Sequence, residues 1–261
     1  MQPNQVVVEV SNVTKWFGGR HRRPALAGVS LFLDKETRLG IVGESGSGKS
    51  TLARIMVGLE RPTTGVVSFR GRDVARCNAA ELRDFRRAVQ FVAQDTSSSF
   101  DPRRTLREAV RRPAQVLLGV DRAKADELAD QTLELVGLSP AMADRKPHEV
   151  SGGQRQRFSI ARSLVVRPGL VVCDEVVSAL DVSVQGTVLN FLKRYCATSG
   201  AGLVFVSHGL PATAFIAKEM VVMKDGAIVE RGSTDQVLHR SEHPYTAQLV
   251  EAYTSATAGV V

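Results

Sequence analysis

The chain has 261 residues, 43% of them hydrophobic, and a formal net charge of +7. That length and apolar content suffice for one sizeable core, and no run of 18 apolar residues and no basic-plus-apolar leader in MQPNQVVVEV points to a membrane span or to secretion. Three scattered cysteines, Cys77, Cys173 and Cys196, lack CxxC spacing, which argues against a disulfide framework and a thiolate metal site and makes cytosol the expected compartment.

In chain order, apolar patterning predicts strands at 6–10, 30–33 and 66–69, partly antiparallel, within a segment running to about Gln90. Between the second and third of these, Leu39, Ile41 and Val42 form a short apolar strand that leads into Gly43–Thr51, GESGSGKST. This fits GxxxxGK[ST], in which glycines let successive N–H groups turn toward a phosphate and the following helix adds its N-terminal partial charge. At average frequencies four such specified positions arise by chance in about one chain in a hundred of this length. A helix over 49–58 is predicted from Leu52, Ile55, Met56 and Leu59, with Gly58 as its stop.

Residues 70–112 hold eleven arginines, no lysine and six acids, a local excess of five positive charges. Such a face can meet water, an anionic membrane surface or nucleic acid, and no aromatic interleaving favours the last. An all-helical insertion is expected over about 95–166. Its clearest helix is 122–136, capped by Asp121, stopped by Gly137 and carrying Leu128, Thr132, Leu135 and Val136 on its buried face.

Next, LVVCDE at 170–175 reads as a buried parallel strand ending in two carboxylates. Asp174 can hold Mg²⁺ with the Ser50 hydroxyl, leaving Glu175 to deprotonate an attacking water. A helix at 182–199 and strands at 203–206, 220–223 and 227–230 complete an alternation that implies a parallel sheet covered by helices. From residue 254 the chain is small and unpatterned and is expected to be a disordered tail, with 1–253 as one domain.

With VSGGQ at 150–154, followed by RQRFSIARSLV, the glycine loop and LVVCDE make the sequence resemble the ATP-binding subunit of ABC transporters over about 6–250. The resemblance implies an α/β P-loop NTPase: a RecA-like parallel sheet core, an N-terminal antiparallel β subdomain and an α-helical subdomain. It implies ATP and Mg²⁺ as cofactors, with Gly43, Ser45, Gly46, Ser47, Gly48, Lys49, Ser50 and Thr51 binding phosphate. Ser151, Gly152, Gly153 and Gln154 would act on the γ-phosphate held by the opposite subunit, and Ser151 can cap the helix whose Phe158, Ala161, Leu164 and Val165 face inward. Gln94 resembles the Q-loop glutamine, a further metal contact, and Ser178, Ala179, Leu180 and Asp181 resemble the D-loop. His208 resembles the switch histidine. In VTKWFGG, Phe17 matches the aromatic that stacks on adenine, with Trp16 as second choice.

Three positions depart from the family pattern: Val176 and Thr96 stand where proline is usual, and Gly209 where aspartate is usual. They change turns and a cap without removing a reacting group. HPYTAQLV at 243–250, PHEVSGGQRQR at 147–157 and SALDVSVQ at 178–185 are similar to the oligopeptide, dipeptide and nickel importer group. That implies a second ATPase subunit in a hetero- or homodimer, two transmembrane permease subunits, an external solute-binding protein, no nucleic acid, and a peripheral place on the cytoplasmic face of the membrane. A soluble accessory ATPase of a phosphonate-degrading complex is the alternative reading.

Overall fold

The computed structural model describes residues 7–18, 23–94, 99–178 and 180–258, apart from the side chains of 182–183 and 254–258. In chain order the elements are β1 (Val7–Lys15), β2 (Leu26–Asp34), β3 (Arg38–Val42), α1 (Lys49–Met56), β4 (Thr64–Phe69), β5 (Arg72–Asp73), α2 (Ala79–Ala88), β6 (Val89–Val92), α3 (Leu106–Pro113), α4 (Arg122–Leu135) and α5 (Gly152–Leu164). They continue as β7 (Leu170–Asp174), α6 (Val182–Ser199), β8 (Gly202–Val206), α7 (Leu210–Ile216), β9 (Glu219–Lys224), β10 (Ala227–Ser233), α8 (Thr234–His239) and α9 (Pro244–Ala258). Contacts divide the chain into two compact units, Met1–Cys77 with Gly202–Val261, and Asn78–Ala201. Among the described residues, no helix is long and apolar enough to cross a membrane.

The first unit holds an antiparallel sheet in the order β2-β1-β4-β5. In β1, Val8, Val10 and Val13 are buried while Glu9 is exposed, the alternation expected of a sheet with one covered face. Beside it, β3 pairs in parallel with both β8 and β9, and β10 pairs antiparallel with β9. β8 is buried at every residue, as a parallel strand covered on both faces must be. Close packing of α7 on β3 requires Gly40, since a Cβ there would lie 2.1 Å from Thr213 Cγ2. The β9–β10 hairpin turns on Asp225 and Gly226, both at positive φ, the conformation an Asp-Gly turn supplies readily.

In the second unit β6 pairs in parallel with β7, and α3, α4 and α5 pack on one another. The segment 79–88, within the stretch expected to be strand-rich, is helix α2. Its start is a capping box: Asn78 accepts from the N–H groups of Ala80 and Glu81, and the Glu81 carboxylate accepts the Asn78 N–H. α4 begins as expected at an Asp121 cap, but its buried face is Ala125, Ala129, Thr132 and Leu133, extended by Val136 beyond the helix. Leu135, expected on that face, is 56% exposed, because the spacing 125, 129, 132, 133, 136 leaves it on the far side of the helix. Leu59 is likewise exposed, since α1 ends at Met56 and Gly58 turns the chain at φ 69°.

Two of the arginines in the basic segment are internal. Arg107 reaches Asp130, Asp144 at 2.8 Å and the Pro140 carbonyl at 3.0 Å, and Arg111 pairs with Asp126 at 3.2 Å. Those contacts tie α3 to α4 and take two charges out of the basic face. α9 extends past Thr254, where patterning fades, as far as Ala258. Alanines at 256 and 258 are strong helix formers and carry the helix on.

Candidate functional site

In the first unit, the loop after β3 is shaped by three glycines at positive φ: Gly43 at 150°, Gly46 at 82° and Gly48 at 101°. Gly48 is the N-cap of α1 and offers no side-chain acceptor, and no acid occupies the helix's first turn. The N-terminal partial positive charge of α1 meets no carboxylate from its own first turn, which suits an anion. Lys49 is 4% exposed, and its ammonium donates to the carbonyls of Gly43 and Glu44, each at 2.7 Å, and to Ser47 Oγ at 3.4 Å. A buried cation turned toward the carbonyls of a glycine loop in this way is well placed to take a polyphosphate as counter-ion. Ser45, Ser50 and Thr51 lie on the same loop and the first turn of α1.

Phe17 lies beside a cavity of about 230 Å³ that it lines with Arg23, Pro24, Ala25, Gly46 and Asp225. Its ring is 46% exposed and lies 5.0 Å from the Lys15 ammonium, which Glu60 and the Arg61 carbonyl hold in place. Trp16 is equally exposed but does not line this cavity. An aromatic face sharing a cavity with the glycine loop is what a purine attached to the loop's phosphates would need. His208 follows β8 and is exposed; its carbonyl accepts the Tyr253 hydroxyl. Gly209 is the N-cap of α7 without a side-chain acceptor, and its own N–H is taken by Ser207 Oγ at 2.9 Å.

In the second unit, β7 delivers Asp174 at 2% exposure and then turns sharply at Glu175, which sits at φ 48°. The strain of a left-handed non-glycine residue is of order 1 kcal/mol. The turn is fixed by Ser178, whose N–H and Oγ both donate to the Glu175 carbonyl, at 3.2 and 2.9 Å. Val176, in place of the usual proline, is 2% exposed and anchors the turn by burial. Gln94 Nε2 donates to Glu175 Oε2 at 2.8 Å, bringing together two residues that lie 81 positions apart in sequence.

The donors fit magnesium. Asp174 and the hydroxyl and amide oxygens of Ser50 and Gln94 are hard ligands, and a carboxylate as buried as Asp174 favours a cation partner. The neighbouring Cys173 thiol is pushed well above its usual range by burial, reinforced by Cys196 and Asp174, so it stays a neutral thiol and does not compete. Among the described residues no three His, Cys, Asp or Glu side chains cluster to hold a metal by themselves.

Ser151 caps α5 as expected. Its Oγ accepts the Gln154 N–H at 3.2 Å, and Gln154 Oε1 accepts the Ser151 N–H at 3.0 Å. The spacing S-x-x-Q is the local signature of this reciprocal box. Ser151 and Gly152 are exposed, while Phe158, Ala161, Leu164 and Val165 are buried. Ser151→Ala should lower the unfolding free energy by about 1 kcal/mol, and Ser151→Asp should restore it, measured as urea midpoints at constant m. In the segment after β7, Leu180 donates its N–H to the Val177 carbonyl at 3.2 Å, and Asp181 occupies the N-cap position of α6 without a side-chain cap bond. Ala179 and Thr96 lie outside the described residues.

The sequence profile of the ABC transporter family matches residues 26–178. The chain is 44% identical over 228 residues to the probable peptide ABC transporter ATP-binding protein y4tS of Sinorhizobium fredii, covering 87% of this chain and 65% of that one. It is 39% identical over 250 residues to the oligopeptide transport ATP-binding protein OppF of Escherichia coli, covering 95% and 75% of the two chains. With the nickel import ATP-binding protein NikE of Escherichia coli it shares 40% identity over 215 residues, covering 82% and 80%. Among solved structures, the dimeric ATP-binding cassette MJ0796, bound to ADP and Pi in a post-hydrolysis state, superposes with a TM-score of 0.79 at 29% identity, over 87% of this chain and 98% of that one.

Proposed function

The chain belongs to the ABC transporter family, and on that premise we propose that it is the ATP-hydrolysing subunit of a membrane importer whose cargo is a peptide or a related small solute such as nickel. The observation that carries this reading is the buried Lys49 ammonium, which donates to two loop carbonyls and a hydroxyl at the start of α1, where the N-cap residue offers no side-chain acceptor. Lys49 and the loop amides from Ser45 to Thr51 bind the phosphates, and Phe17 stacks on the base. Ser50, Asp174 and Gln94 would hold a magnesium ion, which would supply charge neutralisation of the nucleotide's phosphates.

Glu175 takes a proton from the attacking water at its carboxylate, with Gln94 Nε2 orienting that group. His208 donates to the γ-phosphate. Ser151, Gly152, Gly153 and Gln154, at the head of α5 with the first two exposed, serve the nucleotide of a second ATPase chain, and the Ser178–Asp181 segment passes between the two sites. The related cassette MJ0796 is a dimer, which supports pairing of this chain with a copy of itself or with a different ATPase chain. The oligopeptide transport relative OppF and the nickel import relative NikE favour transport over the phosphonate-complex alternative, and in this reading the pair sits beneath two permease subunits at the cytoplasmic face.

The test is gentle extraction of native membranes containing a tagged copy of this chain, followed by identification of what co-purifies. Two multispanning proteins, with or without a second ATPase, are expected. Recovery of soluble enzymes alone would replace import with the accessory role.

A further inference from the structure

Helix α9 is fastened at its start to the β9–β10 region of its own unit. The Glu230 carboxylate on β10 accepts the N–H groups of Glu242 at 2.9 Å and His243 at 3.2 Å, and His243 Nδ1 accepts the Tyr245 N–H at 3.1 Å. The Tyr245 ring is 5% exposed and packs with Val42, Leu210, Met220, Val222 and Leu249. Lys224 Nζ lies 4.5 Å from its centroid.

From that position the Tyr245 hydroxyl reaches the glycine loop and accepts the Glu44 N–H at 3.1 Å. Glu44 is thereby held at both of its backbone groups, its N–H by Tyr245 and its carbonyl by Lys49. Gly43, just before it, has no Cβ to restrict the peptide, so these two contacts fix how the loop starts. Burial raises the Tyr245 phenol above its usual range, with the acids Glu44 and Asp225 adding to the effect against the Glu44 N–H, so the hydroxyl remains neutral. Eight residues on, Tyr253 packs against the same apolar cluster and donates its hydroxyl to the His208 carbonyl.

We infer that α9 is a positioning element for ATP turnover, in which Tyr245 sets the start of the phosphate loop and Tyr253 sets the backbone that carries His208. Neither tyrosine touches the nucleotide; each acts through a backbone group of the residue it holds. The inference rests on the assignment of the Lys49 loop as the ATP site. It gives the HPYT segment a task inside the ATPase chain itself, since the two tyrosines connect elements separated by more than 150 residues in sequence.

Phenylalanine substitutions keep both rings and remove only the hydroxyls. ATP affinity without Mg²⁺ is measured by calorimetry on the full chain, and turnover at saturating MgATP on the complex purified with its partners. Tyr245→Phe should raise the Kd for ATP about 3- to 10-fold, the effect of losing one hydrogen bond. Tyr253→Phe should leave that Kd unchanged and lower kcat by a similar factor, about 3- to 10-fold. Parental Kd and kcat in both variants would overturn the inference, and so would a lowered melting temperature with both constants intact, which is the mark of a purely structural helix. Lys49→Ala, run in parallel, should abolish ATP binding. Retained binding there would remove the ATP-site assignment itself, whatever the tyrosine variants do.

Discussion

Glu175→Gln should bind ATP as tightly as the parent chain and hydrolyse it about 100-fold more slowly or worse, the loss expected when a general base is removed. The substitution is nearly isosteric. The left-handed turn at φ 48° and the bonds from Ser178 to the Glu175 carbonyl involve the backbone and stay in place. An amide oxygen at the same position can still accept the proton that Gln94 Nε2 now donates to Oε2 at 2.8 Å. What the amide lacks is the basicity to take a proton from water. The measurement is single-turnover hydrolysis of prebound ATP beside equilibrium binding. Parental turnover would remove Glu175 from the mechanism, and loss of binding would recast it as a ligand-holding group. Gln94→Ala offers an internal comparison: it removes the orienting amide but leaves the base, so its hydrolysis rate should lie between those of the parent and Glu175→Gln.

The parts of the site written in consecutive residues were legible, and the parts made by distant ones were not. Gly43–Thr51 and Leu170–Glu175 each combine an apolar strand with the chemistry that follows it, so spacing alone locates them. The Ser151 cap is likewise a local contact over three residues. By contrast the Gln94–Glu175 bond spans 81 positions and the Tyr245–Glu44 bond 201, and no periodicity encodes either. Helix α2 had a local signal, the capping box of Asn78 and Glu81, but its seven-residue run ELRDFRR draws attention as charge, and the helix buries only Phe85 and Ala88. In α4 the missed phase at Leu135 came from counting large apolar residues, whereas Ala125 and Ala129 form much of the buried face. Small residues carry burial without carrying hydrophobic signal, because close helix packing needs little volume.

Gly43→Ala should be among the most damaging single-methyl changes in the first unit. A Cβ at this position would lie 2.2 Å from the Met223 carbonyl oxygen and 2.9 Å from Ser47 Oγ. The carbonyl belongs to β9, which is paired on one side with β3 and on the other with β10, so it cannot step aside without opening a sheet. The loop must move instead, and the Gly43 carbonyl that holds Lys49 moves with it. Unfolding free energy should fall by about 2–4 kcal/mol, the range for overpacking combined with strained backbone, and ATP affinity should fall by at least about 10-fold. Gly46→Ala separates the two contributions. Gly46 also sits at positive φ, 82°, but a Cβ there meets nothing within 4 Å, so only the backbone penalty of about 1–2 kcal/mol applies to the nucleotide-free chain. Urea unfolding of both variants without nucleotide should therefore rank Gly43→Ala below Gly46→Ala. Equal stabilities would mean that conformational preference alone selects glycine in this loop; the predicted ranking assigns the first glycine to the β9 backbone against which the loop is packed.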